Sequence, residues 1–376
     1  MAEWEAWVGR ELDRVRAAGQ WREVRDFEAR GPAGVFDDHA VVSFAGNDYL
    51  GLSAHPGVVT AARQAVDRWG TGAGASRLVT GSRPVHSELE RALAEWKGEE
   101  AALLFPSGYA ANLGVLATFG WAGARILSDE RNHASIVDGC RLARADVAVW
   151  RHRDVDHLAA LLDGDPRPAV VVTDTVFSMD GDVAPVEQIA DACRARDALL
   201  VVDEAHAVLG PHPRLGGVPH LRVGTLSKAL GSAGGFVAGP RAMVDLLVNR
   251  ARPAIYSTAL PPAGAAAALA ALDVVRSGEG EALLARLRGF VERVAPGHPT
   301  PIVPVVLGSE DRAVAASAAL LERGLFVPAI RPPTVGEGTS RLRVTLSAAH
   351  TDAQVDALVA ALTSRSLVAG APSRAP

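Results

Sequence analysis

Apolar residues recur at helical spacing where the chain begins: Trp4, Val8, Leu12 and Val15, then Trp21, Val24 and Phe27. Side chains three or four residues apart share one helix face, so this pattern predicts an amphipathic N-terminal helix or pair of helices within residues 1–45. Val41-Val-Ser-Phe44 reads as a short strand leading into the turn-rich Asn47-Asp-Tyr-Leu-Gly51. From about residue 55, helical stretches alternate with short β-rich runs. These are Ala101–Phe105, Arg125–Leu127, Val147–Trp150, Ala169–Val172, Ala198–Val202, Arg222–Val223 and Gly235–Ala238. Seven such runs between helices predict an α/β fold, a mainly parallel seven-stranded sheet flanked by helices.

The texture changes near residue 252. Pro261-Pro262 opens an Ala-rich helix, with proline at first-turn positions where a missing N–H costs little. Pro301–Val306, Leu325–Ile330 and Arg341–Leu346 then look like strands of a smaller α+β C-terminal domain. The expected division is a helical segment over 1–45, a large domain over 46–260, a small domain over 261–366 and a disordered tail over 367–376. No internal repeat is visible.

Composition narrows the class. With 376 residues, 48% hydrophobic and 22% charged, the chain suits a large domain plus a smaller one. A net charge of −5 offers no electrostatic footprint for nucleic acid or an anionic membrane. The first residues carry acids where a signal peptide would be apolar, and no apolar run reaches a membrane-spanning length, so a cytoplasmic protein is expected. Cys140 and Cys193 sit in helix-like contexts and read as reduced packing residues.

The chemistry concentrates after two of the apolar runs. Asp203-Glu-Ala-His206 closes one, and Thr225-Leu-Ser-Lys228 closes another, with Lys228 twenty-five residues after Asp203. A lysine that can join an aldehyde, and a carboxylate that can keep a pyridine nitrogen protonated, are what pyridoxal phosphate chemistry requires. Only two lysines, Lys97 and Lys228, occur in a chain that otherwise uses arginine. An arginine cannot lose its proton at usable pH, whereas a lysine amine can become a nucleophile. Thr225 and Ser227 can donate to a phosphate, and Gly231-Ser-Ala-Gly-Gly235 permits close backbone approach.

Rival readings stand beside these. Asp-Glu-Ala-His is also a helicase motif whose acids hold magnesium, but the Gly-x-x-x-x-Gly-Lys-Ser/Thr loop it needs is missing. His206, His212 and His220 raise a metal site, which their spacing does not support. Ser107, Gly108 and Tyr109 begin a helix after a strand. They are either a phosphate cradle or an ordinary capped turn. His133 lies in a loop after a strand, on the side where α/β sites assemble, although a lone histidine is more often a packing or surface residue. Ser178 and Asp180 lie in a polar loop that serves a cofactor or merely turns the chain.

Taken together, the motifs resemble the α-oxoamine synthases, fold-type I pyridoxal-phosphate enzymes, over about residues 10–362. Those carrying the resemblance are Asn47–Leu52, Ser107–Asn112, His133–Ser135, Val176–Asp182, Asp203–His206, Thr225–Lys228, Ala329–Val335 and Arg341–Arg343. The Ala-Ile-Arg-Pro-Pro-Thr-Val run is most similar to the branch that condenses L-alanine with a pimeloyl thioester, as in biotin biosynthesis. The resemblance implies that Lys228 binds the pyridoxal 5'-phosphate aldehyde and removes the α-proton. Asp203 would pair with the ring nitrogen, His206 with the ring hydroxyl, and His133 would stack on the ring. Ser107, Gly108, Tyr109, Ser178 and Thr225 would hold the cofactor, and Thr258 would reach the neighbouring subunit's phosphate. Asn47 and Arg343 would receive the amino acid's carboxylate, with His133 beside them; Arg22 and Thr334 would meet the acyl substrate. No metal is implied. A homodimer with its active site at the subunit interface is implied, as is an acyl group delivered on acyl carrier protein or CoA. Two departures are the Thr-Leu-Ser-Lys-Ala-Leu context of the lysine and Asp174, which stands where some members have Glu and receives no role. The alternatives are another α-oxoamine synthase, such as one joining glycine to acetyl-CoA, and a non-catalytic subunit of a heteromer. The latter kind lacks the lysine.

Overall fold

Each of the seven β-rich runs is a strand of one sheet. They are β1 (Ala101–Phe105), β2 (Arg125–Asp129), β3 (Asp146–Trp150), β4 (Ala169–Asp174), β5 (Leu199–Asp203), β6 (His220–Thr225) and β7 (Gly235–Gly239), in the order β1-β7-β6-β5-β4-β2-β3. The pairs β3–β2, β2–β4, β4–β5 and β5–β6 are parallel; β7 runs antiparallel to both β6 and β1. This computed structural model describes residues 2–210 and 212–364. The tail expected over 367–376 lies outside the described residues.

The sheet is buried on both faces because its strands are apolar at consecutive positions. Alternate side chains point to opposite sides. Ile126, Val170, Val172 and Val201 therefore pack with the helices Gly108–Phe119, Ala134–Leu142 and Arg241–Arg250. Leu127, Val171, Leu200 and Val202 pack with Val155–Asp163 and Val186–Ala195. Cys140 and Cys193 are buried, unpaired members of these two layers. Burial pushes their thiols up to about 11 and about 12, so both stay protonated and inert at neutral pH.

This sheet belongs to a large unit of residues 46–304 and 344–359; a second unit comprises 1–45, 305–343 and 360–376. In the second unit Ala2–Ala17 is helical, but Trp21, Val24 and Phe27 do not continue it. Gly19 adopts a left-handed φ of 63°, and the Gln20 amide bonds back to the Val15 carbonyl at 2.9 Å, which closes the helix. Phe27–Ala29 is instead the first strand of a four-stranded sheet with Ala33–Phe36, His39–Ser43 and Leu325–Phe326. Ala329–Ile330 pairs antiparallel with Ser340–Thr345. Among the described residues no helix is long and apolar enough to cross a membrane.

Candidate active site

Parallel strands collect their following loops along one edge, where α/β proteins place their ligands. Here that edge carries Ser107 and Gly108 after β1, His133 after β2, Asp174 at the end of β4 and Asp203 at the end of β5. His206 lies just beyond β5, and Lys228 lies three residues past β6. The motifs scattered along the sequence thus converge through the topology.

A chain of polar contacts runs through the centre. Lys228 Nζ lies 2.7 Å from His206 Nε2. His206 Nδ1 lies 2.6 Å from the Tyr49 hydroxyl, which donates to Asn47 Oδ1 at 3.3 Å. Tyr49 is fully buried and His206 nearly so. Asp203, also buried, accepts from the Asn112 side-chain amide at 2.7 Å and from the Ala205 backbone at 2.9 Å. Asn112 donates to Ser135 Oγ as well, at 2.9 Å, while its own buried Oδ1 has no protein partner.

His133 caps the helix that follows β2. Its Nδ1 accepts the Ser135 amide at 3.2 Å and lies 2.8 Å from Ser135 Oγ, which leaves its proton on Nε2. Burial of the ring lowers its pKa below 6.5; the Asp203 charge opposes this and the Lys228 charge adds to it. The imidazole is therefore neutral at neutral pH. Its backbone amide donates to Asp174 Oδ2 at 2.8 Å. Asp174 and Asp203 sit side by side in register on β4 and β5. Burial, and then the charge of Asp203, hold the Asp174 carboxyl well above the usual carboxylate range. Two adjacent carboxyls cannot both ionise cheaply, and Asp174 is the one that keeps its proton.

The turn after β1 fits an anion. Ser107 caps its helix by accepting from the Ala110 amide at 3.1 Å, and the amides of Gly108 and Tyr109 precede the helical ladder. A Cβ on Gly108 would lie 3.7 Å from Thr225 Oγ1, and one on Gly235 would strike the Gly108 nitrogen at 2.4 Å. Thr225 Oγ1 in turn lies 2.7 Å from Ser227 Oγ. Backbone amides, a helix N-terminus and two hydroxyls therefore meet in one place.

The loop after β4 carries Ser178 and is pinned by His152. A bridge between Val176 and Val183 closes it, and His152 bonds Asp129 Oδ1 at 2.9 Å and Asp182 Oδ2 at 2.7 Å. Burial alone would lower the His152 pKa. The two carboxylates outweigh it and raise it to about 9.

The Tyr109 side chain is exposed and bonds Asp138. Thr258 is exposed and bridges to Ser76, bordering a small cleft with Phe105 and Pro106. Arg22, Thr334 and Arg343 belong to the second unit: Arg22 is exposed after the first helix, and Thr334 is exposed beyond the cis Pro332–Pro333 bond. Arg343 is buried, its amide donating to Pro328 O at 3.1 Å. Sequence reasoning gave Tyr49, Asn112 and Asp174 no role, although all three lie in or beside the quoted motifs.

An amine, a buried carboxylate, a neutral imidazole and an anion cradle along one edge suit pyridoxal phosphate, and the orphaned Asn112 oxygen marks a polar wall. Comparison with known proteins agrees. Residues 39–362 match the family described as aminotransferase class I and II. The chain is 52% identical over 379 residues to a protein named 8-amino-7-oxononanoate synthase from Anaeromyxobacter dehalogenans, covering 95% of this chain and 94% of that one. A serine palmitoyltransferase variant from S. paucimobilis, solved with a bound PLP–myriocin adduct, superposes with a TM-score of 0.89 at 28% identity. That match covers 98% of this chain and 99% of that one. An 8-amino-7-oxononanoate synthase from Francisella tularensis superposes with a TM-score of 0.71 at 26% identity, over 85% of this chain and 96% of that one.

Proposed function

The chain belongs to the class I and II aminotransferase family and, within it, to the α-oxoamine synthases; from that premise we propose that it joins L-alanine to a pimeloyl thioester. The products are 8-amino-7-oxononanoate, carbon dioxide and the free carrier thiol. The reaction class, decarboxylative condensation of an amino acid with an acyl thioester, follows from the family, and pyridoxal phosphate is the cofactor. When bound, pyridoxal phosphate supplies an aldehyde for the amino acid's nitrogen and a protonated ring that draws in electrons.

In this reading Lys228 Nζ would hold the cofactor's aldehyde and would take the proton from the alanine Cα. Asp203 would pair with the ring nitrogen and keep it protonated, with the protonated Asp174 beside it in register. His206 would bond the ring hydroxyl, and neutral His133 would serve the ring, its Nε2–H available to the reacting carboxylate. Gly108, Tyr109 and Thr225 would hold the phosphate through backbone amides and a hydroxyl, and Ser178 would contact the cofactor from the loop anchored by His152. Thr258 serves the phosphate of the neighbouring subunit in a homodimer. Delivery of the pimeloyl group by acyl carrier protein or by CoA is compatible with these roles.

The single observation that carries the choice of L-alanine and pimeloyl is the 52% identity over nearly the whole chain to the Anaeromyxobacter synthase. A second reading, another α-oxoamine synthase acting on serine or glycine, draws support from the higher TM-score of the serine palmitoyltransferase. The deciding experiment titrates the holoenzyme's visible cofactor band with L-alanine, glycine and L-serine, followed by product analysis with pimeloyl-CoA and pimeloyl-acyl carrier protein. Tightest response to L-alanine with release of 8-amino-7-oxononanoate supports the first reading. Preference for serine or glycine moves the enzyme to the second.

A further inference from the structure

Of the three tyrosines in the chain, Tyr109 and Tyr256 are exposed and only Tyr49 is fully buried. A buried phenol needs hydrogen-bond partners, and the choice of partners is informative. An ammonium has only donors, so Lys228 Nζ, 2.7 Å from His206 Nε2, donates to the lone pair of that nitrogen. The imidazole proton then sits on Nδ1 and is donated to the Tyr49 oxygen 2.6 Å away. The phenol's own proton turns to the amide oxygen of Asn47 at 3.3 Å. The backbone around Tyr49 holds this geometry. Asp48 accepts the Leu52 amide at 3.0 Å, and the Tyr49 carbonyl accepts the Ala348 amide at 2.8 Å.

We propose that Tyr49 is a positioning residue for Lys228, acting through His206: its hydroxyl fixes the proton on Nδ1 and keeps Nε2 open as the acceptor for the lysine's proton. When Lys228 becomes a neutral amine, an N–H bond breaks at Nζ and one forms at Nε2. The positive charge passes to the imidazole, whose Nδ1–H already rests on Tyr49. No heavy atom has to move, and His206 holds the proton until it is needed again. This rests on the role of Lys228 given above, but not on the identity of the amino acid or acyl group.

Titratable groups of this unit near Lys228 include Asp203, Asp174 and His133, from the ends of β5 and β4 and the helix after β2. All three are retained in Tyr49→Phe, so their fields cancel when the variant is compared with the parent. Phenylalanine keeps the buried ring and removes only the hydroxyl. Without the Tyr49 oxygen at Nδ1, the tautomer with its proton on Nε2 gains ground and turns an N–H toward the ammonium.

The test uses the full chain freed of cofactor, the form in which the Lys228 nitrogen is a titratable amine. Two lysines mean that labelling with ε-carbon-13 lysine yields two NMR signals, and the one missing in Lys228→Ala identifies Lys228. In Tyr49→Phe the Lys228 titration midpoint falls by about one pH unit, a roughly tenfold loss of proton affinity. On a His206→Asn background the same substitution moves nothing. An unchanged midpoint, or an equal fall on both backgrounds, overturns the proposal. Should Tyr49→Phe not fold, nitrogen-15 histidine spectra of the parent decide instead: His206 protonated at Nδ1 supports the relay, and His206 protonated at Nε2 refutes it. Neither readout involves substrate, so failure here is separable from failure of the proposed reaction.

Discussion

Alkaline pH should release the loop that follows β4, and His152 sets where. Its ring joins the buried Asp129 to Asp182 of that loop and packs edge-on against Phe177 at 4.4 Å. The ordinary imidazole value is 6.5, and in the folded protein it is raised to about 9. A group raised on folding contributes stability that is fully present below pH 6.5 and is lost as pH climbs through about 9. The interval of about 2.5 pH units, at 1.36 kcal/mol each, sets the contribution at about 3 kcal/mol. Because the His152 side chain is only 10% exposed, solvent screens little of this. The assay is urea unfolding of the parent and His152→Gln at about pH 6 and about pH 10. Between those values the parent should lose about 3 kcal/mol more than the variant. Other raised groups, such as His220, are common to both and drop out of the difference. Equal pH slopes would refute the clamp, as would a His152 ring that titrates near its ordinary value by NMR.

Four substitutions test the remaining parts. Lys228→Ala should abolish turnover, and retention of more than a small fraction of activity would remove the central assignment. Asp203→Asn should still bind pyridoxal phosphate yet fail to exchange the alanine α-proton in deuterated buffer; normal exchange would dismiss the pairing with the ring nitrogen. Asn112→Leu removes the donor 2.7 Å from Asp203, so cofactor affinity measured by equilibrium dialysis should drop about tenfold, the worth of one charge-assisted bond. Gly235→Ala would drive a Cβ to 2.4 Å from the Gly108 nitrogen. It should weaken cofactor binding more than it lowers the melting temperature, whereas unchanged affinity would place the phosphate elsewhere.

Much of the sheet was legible because a strand buried on both faces is a run of apolar residues and little else. The seven runs are the seven strands, with ends off by a few residues. The reversed direction of β7 is not written in its own residues, since Gly235–Gly239 would look the same either way. It is written in the gap: nine residues separate Thr225 from Gly235, too few for a parallel crossover. The apolar spacing of Trp21, Val24 and Phe27 misled because periodicity cannot see Gly19, whose left-handed turn ends the helix first. Motif residues after strands come together because every parallel strand delivers its loop to the same edge. Tyr49, Asn112 and Asp174 escaped because their side chains bond other protein groups. A residue that orients a carboxylate or fixes a tautomer has no side-chain chemistry of its own to advertise.

The two lysines show how far a compositional signal reaches. Rarity singled out both, yet only Lys228 faces the site. Lys97 Nζ lies 2.6 Å from Glu204 and 4.1 Å over the Trp96 ring. Arg222 bonds the other oxygen of Glu204 at 2.5 Å and Glu99 at 2.7 Å, while His220 bonds Glu99 at 2.8 Å. Burial would raise the Glu204 pKa, but Lys97 and Arg222 outweigh it and lower it, so the carboxylate stays ionised inside the protein. Consecutive acids at the end of β5 thus have different partners. Asp203 bonds Asn112 and Ala205 in the site, and Glu204 is spent on a fixed ion network behind it. Neither arrangement leaves a pair of carboxylates free to share a magnesium ion, which is what the helicase reading of Asp-Glu-Ala-His demands. Of the histidines near the motif, His206 contacts Tyr49 and Lys228, and His220 contacts Glu99. What separates the readings of this four-residue motif is therefore the direction in which each side chain leaves the strand, a property that its letters alone do not carry.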